Sequence, residues 1–344
     1  MSNAMNRDHW RPACSLNVLR IRAVMLRTVR EFFATRGYLE VETPCLSQDI
    51  ALDAWIEPFR VPGVCGAPTR FLQASPEAFM KRLLAAGSGS IYQIARVFRQ
   101  GESGRRHNPE FTMVEWYGVG DSWEDQLSVT ESLLRCCMDA VRSLTGTSVP
   151  VWPDMCFPKL TYAAAFSDAF GLDIHKATCE DLWQVARTSA LPIPESGPQL
   201  QRDDLLNLML GFVIEPRLGG RRSAEAPVFL CDYPPSQAAM AVVSTANPPV
   251  ARRFELYVRG LELCNGYQEL TDAEELRARE RQQKTVRSHQ STTESLPGAP
   301  RLQDALAAGL PSCSGVALGF DRLVMLATGA ETIQEVLPFP ADRS

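Results

Sequence analysis

The chain has no long run of lysine or arginine, no Cys-x-x-Cys pair and no apolar stretch of membrane-spanning length, and each absence closes off a class of function. A formal net charge of -5 speaks against a broad nucleic-acid surface, and so against tRNA as a partner, while leaving room for a local basic pocket. The ten cysteines include one adjacent pair, Cys136-Cys137, and no Cys/His spacing of a zinc site. That usage fits reduced, mostly buried thiols in a cytoplasmic protein. The longest apolar run, residues 205–214, is interrupted by Asn207 and too short for a bilayer, and no basic-then-apolar signal pattern opens the sequence, so no membrane partner is expected. Residues 1–4, ahead of Met5, look like an expression leader and stay outside the fold reading. What is present is ordinary globular material: 344 residues, 45% hydrophobic and 22% charged, ample for a large core.

Residues 91–117, IYQIARVFRQGESGRRHNPEFTMVEWY, hold two β-forming segments joined by a connection far longer than a tight hairpin turn and rich in Gly, Arg and His. Strand periodicity puts Phe111, Met113, Glu115 and Tyr117 on one face, with Arg99, Arg105, Arg106 and His107 crowded beside them. A stacking ring, a cationic cluster and a buried carboxylate suit a ligand that carries a base, phosphates and an amine. A solvated basic hairpin over core aromatics accounts for the same residues.

Apolar spacing predicts helices over 16–35, 77–86, 122–144, 180–189, 203–217, 271–287 and 321–328. Strands are predicted over 38–46, 55–61, 71–74, 228–231, 252–264 and 314–318. Ser75-Pro76-Glu77 reads as a helix start, with a capping serine, proline at the first helical position and an acid in the first turn; taken alone, Glu77 is a helix-dipole acid. Residues 288–300, rich in Ser, Thr, Pro and Gln, read as a mobile surface loop.

In residues 252–270, RRFELYVRGLELCNGYQEL, Glu255, Glu262 and Glu269 recur every seven residues in an apolar strand context, and buried carboxylates need partners. Seven is odd, so neighbouring glutamates face opposite sides of a regular strand; a bulge or break, with Gly260 between them, brings Glu255 and Glu262 to one site. Glutamates on one face suit a magnesium ion shared with phosphates, whereas surface salt bridging is the plain alternative. Asn265-Gly266, by itself, reads as a two-residue hairpin turn.

In this order the pieces resemble the class II aminoacyl-tRNA synthetases: a helix with Glu42-Thr43-Pro44 as first motif, Phe98-Arg99 through Phe111 as second, and Gly319-Phe320-Asp321-Arg322 as third. Within that class, Ser75-Pro76-Glu77, His107-Asn108-Pro109-Glu110-Phe111 and Glu262-Leu263-Cys264-Asn265-Gly266 are similar to lysyl-tRNA synthetase. Lysyl synthetases carry an N-terminal anticodon-binding barrel, while this sequence begins at the catalytic helix. It thereby resembles the lysyl-synthetase-like ligases that attach (R)-β-lysine to a lysine of elongation factor P. Ala317 stands where the synthetases have glycine, and one methyl at the floor of an amino-acid pocket changes which isomer fits. The resemblance implies an α+β fold, a class II synthetase catalytic core of mainly antiparallel sheet flanked by helices. It also implies one catalytic domain over 5–344, a helical insertion at 122–226, and a homodimer.

Carried onto this chain, the resemblance gives Arg99 to the α-phosphate and the substrate carboxylate, Phe111 to adenine, Arg106 and His107 to the distal phosphates, and Arg322 to the far side of the base. Gln100, Gly101, Glu102, Asn108, Leu263 and Gly319 complete the ATP site. Glu255 and Glu262 would hold Mg²⁺. Asn265 would orient the substrate carboxylate, while Glu77, Glu115, Tyr117 and Glu269 take the amines, with Ser75, Pro76 and Ala317 shaping the pocket. One departure stands out: where the second motif reads Phe-Arg-x-Glu, this chain has Gly101, and Glu102 comes one residue later. The implied reaction is ATP-dependent adenylation of β-lysine or lysine, then transfer to the ε-amine of a lysine on elongation factor P. A truncated lysyl-synthetase-like adenylate-forming enzyme with an RNA or other acceptor and a non-catalytic regulatory paralogue are the alternatives.

Overall fold

Helix α1, Leu16–Ala34, starts at Ser15, whose hydroxyl accepts a hydrogen bond from the Val18 amide, and buries the stripe Ile21, Met25, Val29, Phe32 and Phe33. A computed structural model describes residues 10–51, 53, 55–146, 149–193, 200–220, 226–289 and 296–344. The strand predicted over 38–46 is present only at its ends, as β1, Leu39–Glu40, and β2, Leu46–Ser47, because Pro44 between them has no N–H for a ladder. The next two predicted strands are likewise short, β3 at Arg60–Val61 and β4 at Arg70–Leu72. Helix α2, Glu77–Ala85, begins at the expected residue, but Pro76 rather than Ser75 is the cap, and the Ser75 hydroxyl accepts from the Glu77 amide at 3.0 Å.

The long hairpin is as read, β5 at Ile91–Phe98 and β6 at Glu110–Val119. Helix α3, Trp123–Thr145, follows, opened by a reciprocal Ser122/Asp125 capping box and closed by left-handed Gly146. Then come β7, Lys159–Thr161, α4, Tyr162–Phe170, α5, Cys179–Thr188, and α6, Arg202–Met209, which widens into a π-helical turn over Leu210–Ile214. The described residues of 122–226, a stretch expected as a helical insertion, are mostly helical, yet α3 packs into the central core and β7 joins the sheet edge. Strands β8, Val228–Tyr233, β9, Ala251–Val258, and β10, Leu261–Gln268, lead to α7, Ala273–His289. Helix α8, Pro300–Gly309, is absent from the sequence reading; Ser288 belongs to α7 and Leu296 and Ala299 are buried, so the described parts of 288–300 are not a free loop. Residues 290–295 of that loop lie outside the described residues. Strand β11, Cys313–Gly319, and helix α9, Phe320–Thr328, complete the chain.

Eight strands form one sheet in the order β1-β5-β6-β11-β10-β9-β8-β7, antiparallel except for the outer pairs β1/β5 and β7/β8. This is the mainly antiparallel α+β architecture expected. One face rests on α1, α3 and α9 through Trp116, Val114, Phe254, Leu256, Val316 and Leu318. The other face is covered at one end by α4, α5 and α6, and at the other by α2 and α8, leaving the central strands open between them. No helix among the described residues is long and apolar enough to cross a membrane, and all ten cysteines are free thiols.

The single strand expected over 252–264 is a hairpin, and its turn is Arg259-Gly260, both at positive φ (53° and 68°), not Asn265-Gly266. Gly266 lies inside β10, where an added Cβ would meet the Phe254 ring at 2.4 Å, so this glycine serves close packing.

Candidate active site

Register builds the site before any side chain is considered. Glu115 of β6 pairs with Ala317 of β11, which pairs with Asn265 of β10, which pairs with Glu255 of β9. Directly opposed residues share a face, so these four form one row across the open side of the sheet. A second row runs Tyr117, Gly315, Tyr267, Arg253. The odd spacing of Glu255 and Glu262 is resolved by the hairpin together with a bulge between Glu262 and Cys264, which turns Glu262 and Asn265 to the same side. A cavity of about 420 Å³ lies over the β6, β11 and β10 members of these rows.

One end of the cavity gathers acids. Glu115, 2% exposed, accepts hydrogen bonds from the Tyr117 hydroxyl at 2.7 Å and the Ser75 hydroxyl at 2.8 Å. Burial, reinforced by Glu77, pushes its carboxyl up to about 8. Glu269 is pushed up to about 7 by burial, against the pull of Lys81. Lys81 is fully buried and reaches both Glu77, at 2.6 Å, and Glu269, at 2.5 Å. Burial opposes its charge, but Glu269 and Glu77 outweigh that and hold the ammonium well above its ordinary range. Gly315 leaves the room: a Cβ there would sit 2.4 Å from both Glu269 Oε1 and the Tyr117 ring. Asn265 donates through Nδ2 to the Tyr267 hydroxyl at 2.9 Å, leaving buried Oδ1 without a partner among the described residues. Such an orphaned acceptor suits an amine; turning the amide over, with Tyr267 donating to Oδ1, presents Nδ2 to a carboxylate instead.

The other end gathers cations and a ring. The Arg99 guanidinium lies 5.1 Å from the Phe111 centroid and 3.6 Å from Glu102. Arg322 donates to the Glu262 carbonyl at 2.8 Å and carboxylate at 3.2 Å, and lies 2.8 Å from His107 Nε2. Arginine only donates, so Nε2 accepts and the histidine proton sits on Nδ1. Burial, then Arg322, lowers the His107 pKa, which keeps the imidazole neutral. Arg106 donates to the Gly260 carbonyl at 2.7 Å. Asp321, next to Arg322, binds Arg22 of α1 at 2.6 Å and the Thr112 amide of β6 at 2.7 Å, so one buried carboxylate fixes α9 against the elements that carry the site.

Of the residues expected at the site, Ser75, Glu77, Arg99, Glu102, Arg106, His107, Asn108, Phe111, Glu115 and Tyr117 line this cavity. So do Glu262, Leu263, Asn265, Glu269, Ala317, Gly319 and Arg322. Pro76, Gln100, Gly101 and Glu255 do not. Pro76 caps α2, Gln100 is held by the Glu57 carbonyl at 2.8 Å, and Gly101 turns the chain at φ 82°, delivering Glu102 to the wall in its place. Glu255 is set behind the cavity wall because both its oxygens are taken, by Arg253 and by the Tyr257 hydroxyl, each at 2.6 Å.

Glu215, which the sequence reading missed, joins this acidic group. Burial, then Glu255 and Glu262, push it up to about 7, and burial with Glu255 also raises Glu262. Carboxylates that raise one another's pKa mark a place where a cation relieves repulsion. Mg²⁺ needs only one or two carboxylates beside phosphate and water oxygens, so the donor set fits it, with Glu262 as the cavity-facing carboxylate. Lys81, Gly315 and Tyr267 were also missed; for Lys81 the legible signal was its place four residues after Glu77, on the apolar stripe of Ala78, Met80 and Leu84.

Residues 7–343 match the family profile described as tRNA synthetases class II (D, K and N). A Vibrio cholerae serotype O1 protein named elongation factor P--(R)-beta-lysine ligase is 41% identical over 345 residues, covering 99% of this chain and 100% of the relative. A Salmonella gallinarum protein of the same name is 41% identical over 345 residues, covering 97% and 98%. The chain belongs to the class II tRNA synthetase family of the D, K and N type.

Proposed function

We propose that this ligase uses ATP to activate (R)-β-lysine, or lysine, and passes the aminoacyl group to the ε-amine of a lysine on elongation factor P. The observation that carries the reading is the two-ended cavity: ring and cations at one end, three carboxylates at the other, joined by the row Glu115, Ala317, Asn265 on one sheet face. Phe111 and Arg322 would bracket adenine, with Glu102, brought in by the turn at Gly101, placed to accept from the base amine. Arg99 would meet the α-phosphate, Arg106 and His107 the distal phosphates. Glu262 would hold Mg²⁺, which offsets charge on the transferring group. Glu77, Glu115 and Glu269 would take the two ammonium groups, and the Ala317 methyl at the pocket floor would select between isomers.

The substrate carboxylate attacks the α-phosphorus in line, forming the mixed anhydride and releasing pyrophosphate, with Arg99 stabilising the added negative charge. The acceptor amine, once deprotonated, attacks the anhydride carbonyl; an amide forms and AMP leaves. No protein nucleophile is needed. A homodimer acting in the cytoplasm, with residues 5–344 as one catalytic domain, goes with this reading. Amino-acid-dependent ATP/pyrophosphate exchange, run with α-lysine and both β-lysine enantiomers, tests it: exchange is expected to be fastest with (R)-β-lysine, and absence of exchange with all three would overturn it.

A further inference from the structure

The amine end holds a positive charge of its own, which the reaction above does not use. Lys81 is completely buried, and its ammonium bridges Glu77 on its own helix and Glu269 at the end of β10. From β6, the Tyr117 ring centroid lies 5.9 Å from Nζ, and Glu115 pulls on the same charge field. From β11, Cys313 faces it; its thiol is pushed up to about 12 by burial. Helix α8 closes the remaining side with the apolar Leu302 and Leu306.

A buried ion pair is a poor device for stability, since desolvation cancels most of its attraction and apolar side chains of the same volume serve as well or better. The rest of the buried face of α2, Ala78, Met80 and Leu84, packs in one apolar core with Leu302 and Leu306. A lysine here therefore calls for an explanation by charge. We propose that Lys81 is a positioning residue, a fixed ammonium that bridges Glu77 and Glu269 and, by supplying one positive charge, leaves the three carboxylates of the amine end short of two, the number a diamino acid brings. This rests on the reading of the cavity as a diamino-acid site. An amino acid with one ammonium leaves one of the buried carboxylates to keep a proton in place of an ion pair, and forgoes that attraction. The lysine side chain also fixes where the two carboxylates point, since each gives one oxygen to Nζ.

The consequence is a pH dependence. In the wild-type protein the third positive charge is covalently present and does not titrate near neutrality. In Lys81→Met that charge has to be supplied by a proton on one of the carboxylates, and the proton is lost as pH rises. The experiment is pyrophosphate exchange with the full chain, measuring KM for the amino acid and for ATP between about pH 7 and 9. For Lys81→Met, the ratio of amino-acid KM to the wild-type value is expected to climb by up to about ten-fold per pH unit, while KM for ATP stays within about two-fold. Glu77→Gln/Lys81→Met removes one negative charge with the positive one, and is expected to return the ratio to a pH-independent value. A pH-independent ratio for Lys81→Met, a parallel loss of ATP affinity, or a double variant with the same slope as the single one would overturn the proposal. If Lys81→Met gives no folded protein, the double variant decides: it folds and shows the flat profile, or the proposal fails. Failure of the functional reading is separate, because it shows in the wild-type exchange itself before any variant is compared.

Discussion

Glu115 offers a test of the site's electrostatics that requires no turnover. Its carboxyl is moved from an ordinary 4.5 to about 8, chiefly by burial. In the folded protein it therefore keeps its proton well above the pH at which the unfolded chain gives it up. A group raised in this way contributes stability that is complete below its unfolded value and lost as pH climbs through its folded value. Between about pH 6 and 8 the folded state holds one proton more at this position, and the slope is about 1.4 kcal/mol per pH unit, so about 3 kcal/mol disappears. Glu115→Gln keeps a neutral hydrogen-bonding group between the Ser75 and Tyr117 hydroxyls and has no such proton to lose. Chemical denaturation of both proteins at about pH 6 and pH 9 isolates the effect, because the other titrating groups cancel in the difference. The variant should gain about 3 kcal/mol on wild type over that interval. Saturating lysine should flatten the wild-type profile, since an ammonium beside Glu115 lets it ionise at no such cost. Parallel pH profiles for the two proteins, with no ligand, would refute the reasoning.

Two further substitutions probe the walls. Gly315→Ala puts a methyl 2.4 Å from Glu269 Oε1 and the Tyr117 ring; it should raise amino-acid KM by at least about ten-fold with ATP binding little changed, and equal effects on both ligands would count against the placement of the amine end. Glu102→Ala should weaken the preference for ATP over GTP in pyrophosphate exchange by about 1 kcal/mol or more, the worth of one lost hydrogen bond to a base; unchanged nucleotide selectivity would remove Glu102 from that role.

The legible part of this protein was the part written in periodicity and spacing. Alternation in β6 put Phe111, Met113, Glu115 and Tyr117 on one face, and all four line the cavity. Apolar spacing put the starts of α1 and α3 within a residue of where the helices begin. Asn265-Gly266 misled because a glycine after asparagine reads as a turn locally, whereas here the glycine answers to the Phe254 ring of a neighbouring strand, a contact made only after folding. Pro300 hid helix α8 for a related reason: proline marks loops in a sequence, yet it is also well placed in a helix's first turn. Glu255 was read as an acid in need of partners; it finds them two residues away on either side of its own strand, in Arg253 and Tyr257. Lys81 could be paired with Glu77 from their spacing of four, but not with Glu269, which comes from a strand almost two hundred residues away.

The central claim is that a lysine isomer activated in this cavity is delivered to a protein. Labelled (R)-β-lysine, ATP and the purified enzyme, offered elongation factor P and bulk tRNA side by side, test that claim most directly. The account predicts label in an alkali-stable amide on elongation factor P and none in tRNA; label in tRNA with none in the protein would contradict it.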